Sequence, residues 1–402
     1  MNMVALYSLK KMLRLGCSTF SFTFASKSRR FVAGDQNPSH FSLENHRLLC
    51  THMITSEASV NHDQNFTVDY LINSCGLSPE GAISASKWFR LQSSEKADSA
   101  LALFRNHGFS ETQISKVVRS LPRVLTANFG KTLLPKLEFF SSIGVSRENL
   151  ARIVACNPTL LAQSLEKFIS THGFLRSMLS EESVIAVLKN GSRIFLVNHS
   201  TNVVPNITLL RELGMPESII SLSLVHFTRL LILKPERFAR LVGEVKEMGV
   251  NMKTSTCLWA MWILCCRNTL NRSRKIYMSR WGWSEDDALC AFRKFPQCML
   301  VSEKKIMQTM DFLVNEMGWP SQMMAKYAKV FSYTLEKRLI PRCSVCKVLL
   351  SKGLINQDFS LNYVLKFSEK QFLERFVTKF VDQVPQLLSV YQGNVDIQDV
   401  TS

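Results

Sequence analysis

Large apolar residues recur along this chain in short clusters of helical period, and similar polar punctuation separates them at nearly constant intervals. The stretches "EFFSSIG" (138–144), "TLLRELG" (208–214) and "MDFLVNEMG" (310–318) set apolar residues on one helix face and close on glycine. Strand-like alternation bounded by turn pairs is not evident anywhere in the body. The glycines form a ruler: Gly108, Gly144, a missing beat near Ser180, then Gly214, Gly249, Gly282, Gly318 and Gly353. Successive intervals are 36, 70, 35, 33, 36 and 35 residues, and 70 is two periods. Such a period predicts stacked helical units, since one helix pair or triplet cannot bury its apolar face alone.

Within each unit the polar residues mark helix ends. Ser110 with Gln113 and Ser284 with Asp287 read as capping boxes, "VSRE" as a start near Ser146, and Pro216 as a first helical residue. A mid-unit proline recurs: Pro122 in "LPRVL", Pro158 in "NPTLL" and Pro296 in "KFPQCML". Proline breaks a helix interior but suits its first turn, so each marks a corner that ends one helix and starts the next. The units centred on Ser192, Thr228, Met261 and Ala328 lack that proline, and looser corners are expected there.

Charge changes the picture from fold to partner. Lys+Arg 49 against Asp+Glu 32 gives +17, which points to a polyanionic partner. The first 34 residues carry Lys10, Lys11, Arg14, Lys27, Arg29 and Arg30 and no acid, the pattern of an organellar transit peptide. Residues 35–65 read as a disordered linker, 66–393 as the repeat domain and 394–402 as a flexible tail. Within the body, residues 262–353 hold sixteen basic and seven acidic residues, a surplus of nine. A solvated helix face is usually mixed in sign, so this surplus reads as a phosphate-tracking surface.

Other chemistries find little support. The longest uncharged apolar run, "LWAMWILCC" (258–266), falls short of the roughly 20 residues a bilayer requires, and no membrane partner is expected. Cys343 and Cys346 form a lone C-x-x-C without a second ligand pair, so they read as buried thiols, as do Cys265 and Cys266. Disulfides, metals and cofactors are not expected. No Gly-rich phosphate loop, H-E-x-x-H or G-x-S-x-G turn is present, which argues against an enzyme.

The unit of about 35 residues, with its P-x-L-L corner, "PKL-x-F" start and "LG" end, resembles the mitochondrial transcription termination factor (mTERF) family. Segments such as "WGWSEDDALCAFRKFPQCMLVSEKKI" and "FVTKFVDQVPQLLSVYQG" are similar to its plant branch, and the resemblance covers residues 66–393. It implies an all-α, right-handed-type helical-repeat superhelix of three-helix units. Its basic concave face would bind organellar nucleic acid, in transcription termination, intron splicing or ribosome assembly. The candidate nucleic-acid contacts are Arg267, Arg272, Arg274, Lys275, Arg280, Arg293, Lys294, Lys304, Lys305, Lys337, Arg338 and Arg342. The expected partner is double-stranded DNA or structured RNA, together with organellar transcription or RNA-processing proteins. A protein-interaction scaffold is the competing reading, kept alive by Trp259, Trp262, Trp281 and Trp283. The protein is expected to act as a monomer. Arginines in "SRRFVAG" favour the mitochondrion over the chloroplast.

Overall fold

The computed structural model of the chain describes residues 66–356 and 361–401; the expected leader and linker lie outside the described residues. Every described residue belongs to one unit of the chain. The described residues form an all-α helical-repeat solenoid. A helix over 66–73 and the helices Pro79–Ser86 and Glu95–Asn106 precede seven repeats. Each repeat has a leading helix and a trailing helix, joined in all but one by a short corner.

Repeat 1 comprises Glu111–Ser120, the corner Pro122–Thr126, and Phe129–Leu133 running into Leu134–Ser142. Repeat 2 is Arg147–Cys156, Pro158–Ala162 and Leu165–Arg176; repeat 3 is Glu181–Gly191, Ser192–Leu196 and His199–Glu212. Repeat 4 is Glu217–His226, Thr228–Leu231 and Pro235–Glu247. Repeat 5 joins Ser255–Leu264 to Arg267–Trp281 directly through Cys265 and Cys266. Repeat 6 is Glu285–Lys294, Pro296–Leu300 and Glu303–Met310 running into Asp311–Glu316. Repeat 7 is Ser321–Lys326, Ala328–Ser332 and Leu335–Leu339 running into Ile340–Ser351.

The corners show how backbone chemistry sets the unit. Ahead of Pro122, Pro158 and Pro296, the residues Leu121, Asn157 and Phe295 have φ between −141° and −151° and ψ between 68° and 76°. A residue before proline is pushed out of the helical region in this way. The chain then makes a five-residue 3-10 turn with proline in its first position. Corners form without the proline as well. Gly191, Phe227 and Tyr327 break the helix at φ −145°, −119° and −113°, with ψ of only 26–40°. The looser corners expected there are therefore built corners, and packing supplies what proline does elsewhere. Gly191 shows how tight that packing is: a Cβ there would lie 2.4 Å from the Thr228 hydroxyl of the next corner.

Thirteen residues after Pro122, Ser192 and Ala328 stand Pro135, Pro205 and Pro341, and Pro205 lies inside the helix His199–Glu212. Pro135 and Pro341 follow π-turns, Phe129–Leu133 and Leu335–Leu339, whose wider ladder makes room for a ring that lacks its N–H. Both capping boxes form, at Ser110 and Ser284. Pro216 is the cap itself, and its helix begins at Glu217. The ruler glycines take the left-handed conformation; Gly282, at φ +68°, terminates the helix Arg267–Trp281. The missing beat is a turn through Ser177 and Leu179 into the Ser180 cap.

Repeats stack layer upon layer. Leading helices pack on leading helices, and the corners of repeats 2, 3 and 4 pack in series, as do those of repeats 6 and 7. Phenylalanines bridge the layers: Phe140, Phe168 and Phe195, all fully buried, belong to repeats 1, 2 and 3, with neighbouring ring centroids 5.0 and 5.8 Å apart. A second apolar cluster, around Val345, Val364, Phe372 and Val390, closes the C-terminal end. The tail expected from 394 onward carries the helix Ile397–Thr401, and Val400 is buried in that cluster.

Candidate nucleic-acid interface

A recurring device joins the trailing helix of one repeat to the next corner, and it consumes basic residues. Lys136 Nζ donates to the Leu161 carbonyl at 2.5 Å, and Lys167 Nζ to the Leu196 carbonyl at 2.7 Å. Asn206 Nδ2 donates to the Leu231 and Leu233 carbonyls, both at 2.9 Å. Ser273 and Tyr277 donate to Met299 and Cys298 at 2.8 and 3.1 Å. These carbonyls lie in or just after the short corners, 3-10 turns in repeats 2, 3 and 6 and an α-turn in repeat 4, and the neighbouring helix supplies the donor. Burial holds the Lys136 and Lys167 ammoniums below the ordinary lysine range.

Two candidate contacts serve the same device. Arg342 is 2% exposed and donates through Nη1 to the carbonyls of Val364, Leu365 and Phe367. Arg338 donates through Nε and Nη2 to Leu365 and Phe367 at 2.6–2.9 Å. Arg342 is thus withdrawn from the interface, because a buried guanidinium turned inward offers nothing to a phosphate. Arg338 has its fork occupied likewise. Lys305 stands three residues after its Ser302 cap, as Lys167 stands after Ser164, and burial lowers its pKa in the same direction.

Four other candidates are held at the surface. Arg267 pairs with Glu244 at 2.7 Å and Arg274 with Glu285. Arg293 donates to the Met248 carbonyl, and Lys294 to the Lys326 carbonyl at 3.4 Å. The exposed residues Arg272, Lys275, Arg280, Lys304 and Lys337 make no side-chain hydrogen bond or ion pair among the described residues. Lys304 and Lys337 each follow an exposed carboxylate, Glu303 and Glu336, in the first turn of their segments. The candidates therefore divide into cations with partners in the fold, Arg267, Arg274, Arg293, Lys294, Arg338 and Arg342, half-buried Lys305, and exposed cations without one.

The structure brings together a different set. The second residue of the corner is Arg123 in repeat 1, Arg193 in repeat 3, Arg229 in repeat 4 and Lys329 in repeat 7. The two residues that follow are buried every time: Val124 and Leu125, Ile194 and Phe195, Leu230 and Leu231, Val330 and Phe331. With three residues per turn, turning positions three and four inward leaves position two outward. Arg123, Arg193 and Arg229 are exposed and Lys329 half-exposed; none has an ion pair among the described residues. No carboxylate lies within any of these corner segments. Repeats 2 and 6 place the polar Thr159 and Gln297 at this position. Register carries the signal: P-R-V-L, S-R-I-F, T-R-L-L and A-K-V-F align, whereas charge density looks past them.

The thiols divide. Cys343 and Cys346 are buried, whereas Cys265 is exposed and Cys266 half-buried, because they occupy the junction where repeat 5 lacks a corner. No group of three or more His, Cys, Asp or Glu able to hold a metal occurs among the described residues. No described helix is long and apolar enough to cross a membrane. Of the four tryptophans, Trp283 is buried, stacking on Tyr277 with centroids 4.2 Å apart; the other three are half-buried.

The family model for mTERF matches residues 101–275 and 261–373, spanning every repeat that carries a corner cation. The chain belongs to the mTERF family. The two matches overlap over 261–275, in the repeat without a corner. Three Arabidopsis thaliana proteins are similar to it. "Transcription termination factor MTERF15, mitochondrial" is 22% identical over 71% of this chain and 56% of that protein. "Transcription termination factor MTERF8, chloroplastic" is 22% identical over 64% of this chain and 51% of that protein. "Transcription termination factor MTEF18, mitochondrial" is 24% identical over 61% and 48% respectively. The chain thus spans about half the length of these mTERF relatives.

Proposed function

We propose that this mTERF protein binds nucleic acid in an organelle, duplex DNA in preference, and regulates transcription there, including its termination. The observation that carries the reading is the set of corner cations Arg123, Arg193, Arg229 and Lys329, outward-facing and without ion pairs among the described residues at the same position of repeats 1, 3, 4 and 7. Corners pack on corners in repeats 2 to 4 and again in repeats 6 and 7, so within each of these runs a corner position follows one edge of the stack. Free guanidiniums along such an edge suit phosphate oxygens, which they can bind bidentately. Arg272, Lys275 and Arg280 add charge beside the column without belonging to its register. In this reading phosphate contacts position the protein, and sequence preference comes from a minority of base contacts and from duplex shape.

The relatives' names support transcription termination and an organellar address, and they divide between mitochondrion and chloroplast. We assign the mitochondrion from the acid-free leader ending in "SRRFVAG". The protein acts here as a monomeric, non-catalytic binder. The test is affinity of the full chain for duplex DNA and for structured RNA, with and without alanine at the four corner cations. Preference for the duplex, lost in the variant, is the expected result. Preference for RNA would move the step to RNA processing, and an unchanged affinity would remove the corner column from the interface.

A further inference from the structure

Cations and aromatic rings interleave at the C-terminal end of the chain as nowhere else among the described residues. Six cation–π contacts occur, all between Tyr333 and Phe380, whereas roughly one is usual per 70–80 residues. Two of them belong to the capping residues Arg338 and Arg342. Others converge on one exposed spot. Lys366 Nζ lies 4.6 Å from the ring centroid of Tyr363 and 5.6 Å from that of Phe367. The Arg375 guanidinium stands 4.8 Å over Phe367, and its Nη1 donates to the Tyr363 hydroxyl at 3.1 Å. Tyr363 meets Phe367 edge-on at 4.7 Å and 85°.

Burial divides this cluster into floor and face. Phe367 is 8% exposed and backed by Phe376 at 6.1 Å, so it anchors the group to the second core. Tyr363 is 43% exposed, and Lys366 and Arg375 are exposed beside it. The Lys366 ammonium and the remaining guanidinium N–H groups of Arg375 have no acceptor among the described residues. Glu374, the carboxylate next to Arg375 in sequence, is 3.9 Å from Lys370 instead. A partly exposed ring with uncompensated cations against it, Lys366 over one face and Arg375 at its hydroxyl, matches one ligand chemistry closely: a flat π-face joined to an anion.

We infer that Tyr363, Lys366 and Arg375 form a stacking site for an unpaired nucleotide, the base lying on Tyr363 and the phosphate meeting Lys366 and Arg375. The inference rests on the nucleic-acid reading above but uses a separate part of the molecule. Bases within a duplex already cover one another's faces, so the ligand is a single-stranded segment, with sequence tolerance because every base has a π-face. A strand opened beside a duplex held at the corners would supply one.

The test uses the full chain with a ten-nucleotide single strand carrying 5-iodouridine, its duplex, and the variants Tyr363→Ala and Tyr363→Phe. Ultraviolet cross-linking to Tyr363, mapped by mass spectrometry, is the direct readout, and anisotropy gives affinity. Tyr363→Ala is expected to weaken single-strand binding roughly 5- to 100-fold, while Tyr363→Phe and duplex binding stay within about twofold. Single-strand affinity unchanged in Tyr363→Ala overturns the site. So does an equal fall for single strand and duplex, or cross-linking confined to other residues. An acidic peptide that binds through Tyr363 while the oligonucleotide does not would overturn it in favour of a protein partner. If alanine at the corners spares duplex binding while Tyr363→Ala still loses the single strand, the corner track fails and this site stands.

Discussion

Repeats 1 to 4 and the chain from repeat 5 onward differ in where their corner arginines and trailing-helix arginines are spent. The later region holds most of the surplus charge, yet Arg267, Arg274, Arg293, Arg338, Arg342 and Lys347 all have partners within the fold. The earlier region has fewer, yet three of its corners point an unpaired arginine into water. Arg229 and Arg342 make the contrast concrete. One follows the first residue of a corner and is exposed; the other lies in a trailing helix and is sealed against three carbonyls. Charge density marks where cations are numerous, and repeat register marks the free cations that share one position of the unit.

The largest structural effect should follow removal of the sealed cation. Arg342→Met withdraws donors from three carbonyls and should cost about 3 kcal/mol, read as a loss of denaturant midpoint with the nucleic-acid salt slope unchanged. A weakened salt slope in that variant would collapse the distinction between the two regions. Alkali probes the packing of both. Burial pushes the thiols of Cys75, Cys257 and Cys346 up to about 12 from an ordinary 9.0. Their folded-state pKa is raised, so their contribution is present below pH 9 and is lost as pH rises toward 12. Each thiol removes about 1.4 kcal/mol per pH unit in that window, and unfolding curves at pH 8, 9 and 10 should show it.

Gly191→Ala tests whether packing alone holds a corner without proline. The added methyl meets Thr228, and a loss of about 1–3 kcal/mol is expected; a neutral result would mean that the corners of repeats 3 and 4 are loose after all. Arg274→Ala, which breaks a surface pair with Glu285, should change stability by less than about 1 kcal/mol.

Much of the fold was legible because backbone chemistry is local. A glycine after an apolar cluster, a serine cap and a proline corner each act within a few residues, so the sequence shows them directly. Pro296 at the start of a 3-10 turn and Ser284 with Asp287 in a capping box are such cases. The corners at Ser192 and Thr228 were harder to read, since Lys167 and Asn206 hold them from 29 and 25 residues away. The site was less legible for the same reason. Nothing local separates Arg338, bonded to carbonyls 27 and 29 residues away, from Lys337 beside it, which is free. Aligning the units on the corner would have found Arg123, Arg193 and Arg229.

The most direct test is the salt dependence of duplex DNA binding by the full chain. It compares the wild type, the Arg123→Ala, Arg193→Ala, Arg229→Ala, Lys329→Ala variant, and an Arg272→Ala, Lys275→Ala, Arg280→Ala variant. If the corners carry the phosphates, the slope of log affinity against log salt should shrink by about 3–4 in the first variant and far less in the second. An unchanged slope in the corner variant, with the loss appearing in the other, would contradict the account.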